Sequence, residues 1–561
     1  MPTQINKQTY SESGQEIELK DLSGIIYIDA LLNKREGAPI KWKTDPFLSG
    51  GEMDQSKTVI SYSFPTGSDS SAGYSYQDDV GDISPIPFSS KQQEDTRAAF
   101  KEIEKYINVA FVEVIETEEK VGTIRLAINT ITDEQGNFIP GVVATAEPPF
   151  SDPRGGDIWF NKSYAKSDFS TGLVAIAENS QSIGSQTPIG DLTVMYHEIF
   201  HALGVEHPND NPDIPFPEDK NSREYTVMAG EFSVDGASTK IIDEKEYAIP
   251  STPMAYDVAA LQYLYGSNTK FNSGDTTYTF DPNIPEIKLI WDGGGTDTLN
   301  FGDFSGSNTI NLTDGSYSTV PFNGWFLKNN FSIAFGADIE NVVSGSGADT
   351  ISGNSLDNRI TGGFGDDVLD GKGGIDLATY SVERKEAVLN SFVDYSSSGE
   401  NISLGKAWNV VLKSETDTLR NIERVKFNDT YVALDLTGNA GKTVKLLAAL
   451  LGKASATDKA YVGAGLNALD NGMSYEALMK SAIDVVFGLN PSGASIVSTL
   501  YENLVGSPAP QSIIDEYGGM LDNGSMTSTE FGIAVADHDL NANNIDLVGL
   551  TQTGVEYILY G

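Results

Sequence analysis

Residues 344–379 run SGSGADTIS, GNSLDNRIT, GGFGDDVLD and GKGGIDLAT, four nine-residue units in succession without a gap. Asp349, Asn358, Asp367 and Asp376 share one phase of this period, and Ile351, Ile360, Leu369 and Ala378 share another. A unit this short cannot bury its apolar position alone, so neighbouring units must stack into a continuous core. A disordered glycine-rich linker has no need to hold an apolar residue in register, and here one is held four times. Acidity focused at a fixed spacing adds a second constraint, because carboxylates are the hard oxygen ligands that calcium takes.

The repeats fill a small part of a 561-residue chain, whose length suits three or four domains. From about Ile25 to Gly266 helices and strands alternate as in an α+β domain. SSKQQEDTRAAFKEIEKYI (89–107) reads as a capped helix with Phe100, Ile103 and Ile107 on one face. FVEVI (111–115) and TIRLAI (123–128) alternate as half-buried strands, and GVVATAEPPF (141–150) and GDIWFN (156–161) supply two more. DLTVMYHEIFHALG (191–204) predicts a helix with Asp191 as N-cap and Gly204 as stop, and MAYDVAALQYLYG (254–266) a second one after Pro253. Past residue 290 the texture turns to glycine, aspartate and asparagine. Residues 437–561 return to helical periodicity with an internal duplication: LLAALLG (446–452) and LDNGMS (469–474) match TLYENLVG (499–506) and LDNGSMT (521–527).

Seventy-nine acidic against 37 basic side chains leave a formal charge of −42, which repels phosphate backbones and anionic lipids, so no nucleic-acid partner is expected. The absence of cysteine removes disulfides, thiolate metal sites and a cysteine nucleophile. MPTQINKQTYSESGQEIE lacks the basic start and apolar run of a cleaved signal peptide, and no apolar stretch is long enough for a transmembrane segment.

Four histidines occur in the chain, and three stand within HEIFHALGVEH (197–207). On a helix, positions four apart share a face, so His197 and His201 can hold one ion. Gly204 can take the left-handed conformation that turns the chain and brings His207 in from another direction. Three nitrogen ligands with a fourth position left to solvent is the usual arrangement of a catalytic zinc. Glu198 projects about 100° around the helix from His197. It should therefore reach the solvent position rather than the ion, as general base and then general acid. Met228, in REYTVMAG, is suitably placed to form an apolar floor beneath the ion. His538 has no comparable neighbours and reads as structural or solvated.

H-E-x-x-H-x-x-G-x-x-H followed by such a methionine is the metzincin signature. With GGDIWFN before it, YTVMAG and PMAYDVAALQYLYG after it, and WDGGGTDTLNF (291–301) leading into the nonapeptides, the chain closely resembles the serralysins from about Ile25 to Thr379. These are secreted bacterial zinc endopeptidases carrying a calcium-loaded β-roll. The resemblance implies a multidomain chain, with an α+β metzincin catalytic domain, a parallel β-roll and an all-α C-terminal region. The expected borders are a possible pro-segment at 1–24, the metallopeptidase domain at 25–268, the β-roll with flanking strands at 269–436 and the helical tail at 437–561. It also implies zinc on His197, His201 and His207, Glu198 as catalytic acid/base, and broad hydrolysis of protein and peptide substrates. VVATAE (142–147) takes the place of the edge strand along which metzincins bind extended substrate. One position departs: serralysins usually carry a tyrosine two residues after the Met-turn methionine, and here it is Gly230.

In the roll, the resemblance makes Asp349, Asp367 and Asp376, with the turns at Gly345, Gly347, Gly363, Gly365 and Gly374, the calcium-binding residues. Two nonapeptides form one coil, so Asp349 should stack near Asp367 and Asn358 near Asp376. GNSLDNRIT lacks two glycines and the aspartate, which weakens its own site. Clustered carboxylates repel one another without calcium, so binding and folding should be coupled. The resemblance further implies extracellular export by type I secretion machinery, with GVEYILYG (554–561) ending the signal. The tail resembles helical repeats of unknown function that follow such rolls and could serve an unknown partner. The rival reading is a calcium-dependent surface or adhesion protein with a vestigial metal site.

Overall fold

The computed structural model describes residues 16–44, 56–65, 85–116, 121–131, 142–150, 155–162, 173–175, 192–230, 239–240, 246–248, 250–395 and 403–560. The chain packs as two compact units, one formed by residues 1–297 and 312–339, the other by 298–311 and 340–561.

The first unit is built on a five-stranded sheet in the spatial order Val109–Glu113, Thr58–Ser63, Ile124–Asn129, Ile158–Asn161, Ala144–Ala146. The first four strands are parallel and the last is an antiparallel edge. Helix Ser90–Tyr106 covers it and begins as the sequence predicts: Ser89 and Gln92 form a reciprocal capping box. Phe100, Ile103 and Ile107 are buried, with the Phe100 ring tilted against those of Tyr62 and Phe111, centroids 4.4 and 4.5 Å away.

Two strand expectations change. The strand at 111–115 starts and ends two residues earlier, because it pairs in parallel with Thr58–Ser63 from Val109 onward. Ile124–Asn129 is buried on both faces, not alternately, since it lies inside a parallel sheet. Thr58–Ser63 escaped the sequence reading because serines interrupt it. Those serines are buried and satisfied across the sheet, Ser61 Oγ bonding Thr123 Oγ1 at 2.8 Å and Ser63 Oγ accepting the Gly122 amide at 2.9 Å.

In the second unit the nonapeptides coil as their period requires. One sheet stacks Thr298–Asn300, Asn341–Val343, Arg359–Thr361, Leu377–Thr379 and Arg424–Lys426 in parallel. The other stacks Thr309–Asn311, Thr350–Ser352, Val368–Asp370 and Thr416–Arg420. Ile351 faces Leu369 and Ile360 faces Ala378, all essentially without exposure. The backbone N–H of Asp349 donates to Asp367 Oδ1 and that of Asn358 to Asp376 Oδ1, each at 2.8 Å. The predicted stacking of every second unit is therefore present. An antiparallel ribbon of Val388–Tyr395 and Ser403–Val411 extends the second sheet.

Helices Asn439–Leu451, Lys459–Asp470, Tyr475–Phe487, Gly493–Val505, Gln511–Asp522 and Ser528–Ala536 form two related sets of three, followed by Asp539–Asn544 and Leu547–Thr553. The duplicated stretches are helix ends. Gly452 (φ +87°) and Gly506 (φ +80°) close the first helix of each set, Asn471 and Asn523 the second, and Ser474 and Thr527 cap the third. One element lies outside the all-α expectation: Val555–Tyr557 returns to the roll as a strand antiparallel to Tyr431–Ala433. Buried Arg424 also joins helices to roll, pairing with Asp435 at 2.5 Å and with both oxygens of Asp470 at 2.7 and 2.8 Å.

Candidate metal centre

Helix Leu192–Leu203 buries Met195, Ile199, Phe200 and Leu203 and turns His197 and His201 to one side, their rings 4.7 Å apart. The predicted cap Asp191 lies outside the described residues. Gly204 has φ +101°, and a Cβ there would sit 2.4 Å from the Ile40 carbonyl oxygen, so only glycine fits. Beyond it the Asn33 amide donates to Gly204 O at 2.9 Å and the Glu206 amide to Leu31 O at 2.7 Å. This pairing swings His207 back over the helix.

The three Nε2 atoms converge, at 3.1 Å for His197 to His201, 3.1 Å for His197 to His207 and 3.2 Å for His201 to His207. Each Nδ1 faces an oxygen: Val227 O at 2.9 Å, Val205 O at 2.8 Å and Asp210 Oδ2 at 2.7 Å. A carbonyl or carboxylate can only accept, so each Nδ1 carries a proton, and the tautomer this selects presents a bare Nε2 lone pair inward. Three lone pairs aimed at one point repel unless a cation lies between them, and the donor set therefore fits a divalent metal. Burial and the neighbouring rings push His197 well below the ordinary imidazole value, and burial, with His207, pushes His201 down to about 4. Neutral imidazole is the form that binds.

Glu198, one residue beyond His197, is buried, and burial raises its carboxyl to about 8. Met228 is fully buried in a tight turn. That turn is pinned by Asp257 on helix Ala255–Tyr265, whose carboxylate accepts from Thr226 Oγ1 at 2.5 Å, the Val227 amide at 2.9 Å and the Met254 amide at 3.0 Å. Asp257 thus holds the N–H of Val227, the same residue whose carbonyl oxygen orients His197. Gly230 is exposed, with no described heavy atom within 4 Å of a Cβ built on it. Ala144–Ala146, within the expected substrate strand, is the antiparallel edge of the sheet among the described residues.

The roll residues belong to the second unit. Asp349, Asp367 and Asp376 are buried. A Cβ on Gly345, Gly347, Gly363, Gly365 or Gly374 would fall between 1.8 and 2.5 Å from a backbone atom of the preceding coil, which explains the glycines. His538 acts as a helix cap, its Nδ1 accepting the Leu540 amide at 3.1 Å.

Asp210, Asp257, Asp417 and Glu423 were missed from sequence. Asp417 Oδ1 accepts the Asp367 amide at 2.9 Å and Glu423 Oε2 the Asp376 amide at 3.0 Å, continuing the rungs beyond the repeats. A signal for Asp417 existed: Asp-Thr-Leu at 417–419 repeats the Asp-Thr-Ile of 349–351, outside the nine-residue phase.

A two-histidine helix, a glycine turn delivering a third imidazole, a buried methionine turn and a parallel sheet with an antiparallel edge are together the arrangement expected of a metzincin. Comparison with known proteins agrees and narrows the class. The Matrixin family matches residues 82–231, and the family described as Peptidase M10 serralysin C terminal matches residues 257–462. The chain is 33% identical over 296 residues to Serralysin G of Dickeya chrysanthemi, covering 49% of this chain and 56% of that one. It is 31% identical over 310 residues to Serralysin of Proteus mirabilis, covering 50% and 57%. It is 33% identical over 252 residues to Metalloprotease AprA of Pseudomonas entomophila, covering 40% and 47%. Over residues 82–462 the chain is therefore similar to the serralysins and to related metalloproteases. It spans about half the length of the curated relatives it matches, and the residues beyond 462 lie outside both family matches.

Proposed function

We propose that the protein is a secreted zinc-dependent endopeptidase, and the observation that carries this is the meeting of three Nε2 atoms at one point, with the buried Glu198 next in sequence to the first of them. Nitrogens held about 2.0–2.1 Å from a tetrahedral zinc stand roughly 3.3 Å apart, close to the spacing found here. When bound, zinc would polarise the scissile carbonyl and acidify a water at its open position. Glu198 takes the proton of the attacking water and returns it to the leaving amine. Asp257 and Val227 hold His197 in the tautomer that leaves its Nε2 free, and Asp210 does the same for His207. The edge strand at Ala144–Ala146 offers main-chain hydrogen bonds to an extended peptide with little demand on its side chains.

In this reading residues 25–268 carry catalysis, 269–436 a calcium-binding scaffold and 437–561 a tail that includes the signal for type I secretion. No helix among the described residues is long and apolar enough to cross a membrane. Wild type and Glu198→Ala are compared on an unfolded protein substrate. The variant should bind zinc normally and lose at least about 10²-fold in kcat/KM. Equal rates would defeat the protease reading and leave the calcium-dependent surface protein.

A further inference from the structure

We propose that only two of the four nonapeptide turns, those ending at Asp367 and Asp376, take up calcium, while those ending at Asp349 and Asn358 are closed by the chain's own hydrogen-bond donors. The inference rests on the calcium reading above and departs from a uniform array.

The four turns share a backbone path and differ in what meets the side-chain oxygens at the sixth position. Asp367 and Asp376 are 1% and 0% exposed. Each spends Oδ1 on an amide of the preceding coil at 2.8 Å, and each keeps a buried Oδ2 with no hydrogen-bond partner. That oxygen points into its own turn. A Cβ on Gly362 would lie 2.2 Å from Asp367 Oδ2, and one on Gly371 would lie 2.2 Å from Asp376 Oδ2. Backbone carbonyls crowd the same turns: Gly345 O is 1.8 Å from a Cβ on Gly363, and Leu356 O is 2.5 Å from one on Gly374. A buried carboxylate oxygen without a donor is strongly disfavoured, and among carbonyls a hard cation is the partner that relieves it.

At Asp349 the place of Gly362 is taken by Ser344. Its Oγ donates to Asp349 Oδ2 at 2.6 Å, is itself met by Asn308 Nδ2 at 2.9 Å, and the Asn308 amide donates to Asp349 Oδ1 at 2.6 Å. Both carboxylate oxygens are answered by protein. At 358 the carboxylate is an amide: Oδ1 accepts the Asn354 N–H at 2.8 Å, and Nδ2 donates to Glu340 O and Asn354 Oδ1, each at 3.0 Å. The amide N–H groups supply the positive end that a cation would otherwise bring. The side chains at 349 and 358 are thus answered by protein donors, the oxygen left over beside them being the amide Oδ1 of Asn308, whereas the second coil, next to Asp417 and Glu423, keeps two open carboxylate oxygens and is cation-dependent.

Calcium bound per chain is counted by equilibrium dialysis of the full chain, and each variant is read as a change from wild type, whatever the rest of the molecule binds. Asp367→Asn and Asp376→Asn should each lower the count by one, Asp349→Asn should leave it unchanged, and Asn358→Asp should raise it by one. A lower count in Asp349→Asn, or unchanged counts in both Asp367→Asn and Asp376→Asn, would overturn the inference. Should neither of those two fold, Asn358→Asp decides, a gain of one ion supporting the proposal and no gain overturning it. Wild-type protein that takes up no calcium defeats the calcium reading itself, a result distinct from a miscounted array.

Discussion

Burial acts in opposite directions on the histidine centre and on the aspartate coil. It pushes the imidazoles of His197 and His201 down, and the carboxyls of Asp367 and Asp376 up to about 7 and about 8. For histidine this favours the neutral ring that ligates; for aspartate it favours the protonated acid that does not. The first site is therefore ready before its ion arrives, its rings locked by Val227, Val205 and Asp210. The second is an arrangement of mutually repelling oxygens that an ion must complete. On the proposed reading, a preorganised metal site would serve chemistry and an unfinished one assembly.

The largest expected effect comes from a calcium-selective chelator. It should remove the parallel strand signal of the roll in circular dichroism and leave zinc content at the histidines unchanged. Simultaneous loss of both would erase the contrast. Acidity should then act on the chelated protein. Asp367, Asp376 and Asp417 are raised chiefly by burial to about 7, about 8 and about 6, above an unfolded value near ~3.9. Such groups favour the folded roll only while protonated. Their contribution is complete below about pH 4 and is lost as pH climbs through their folded values. Strand signal in calcium-free protein should fall between about pH 5 and 8, and saturating calcium should abolish that fall. A signal that instead grows with pH would contradict the assignment.

A smaller effect tests how far the coil is finished by the tail. Arg424→Ala leaves Asp435 and Asp470 buried or half-buried without their cation, at a cost of about 3–5 kcal/mol. Denaturant unfolding of calcium-loaded protein should show that loss in the roll and helical tail together. The smallest expected change lies on the other side of the comparison. Asp257→Ala touches no ligand, yet frees the N–H of Val227, the residue whose carbonyl orients His197. Zinc affinity, read by competition with a chromophoric chelator, should weaken about 10–100-fold. Unchanged affinity would mean that the ligand helix alone fixes the ring.

Much of this was legible because it is periodic or local. The spacing of His197, Glu198 and His201 is read from the helical repeat, and Ser89 and Gln92 announce a helix start. The coil follows from a period of nine that leaves an apolar residue nowhere else to go. Thr58–Ser63 was hidden, since Ser61 and Ser63 look unsuited to a core until Thr123 and Gly122 supply their partners. Asp257 and Asp210 were hidden for the same reason, their meaning lying in what they touch.

The sequence by itself determined the ligand types, their spacing and the repeating coil, because those depend on backbone geometry over a few residues. Tertiary structure decided the rest. It set which nitrogen of each ring carries the proton, joined Arg424 and Val555–Tyr557 to the roll, and distinguished carboxylates answered by protein donors from those left open. Hydrogen-bond satisfaction is a property of neighbours brought together from distant positions, and no local pattern encodes it.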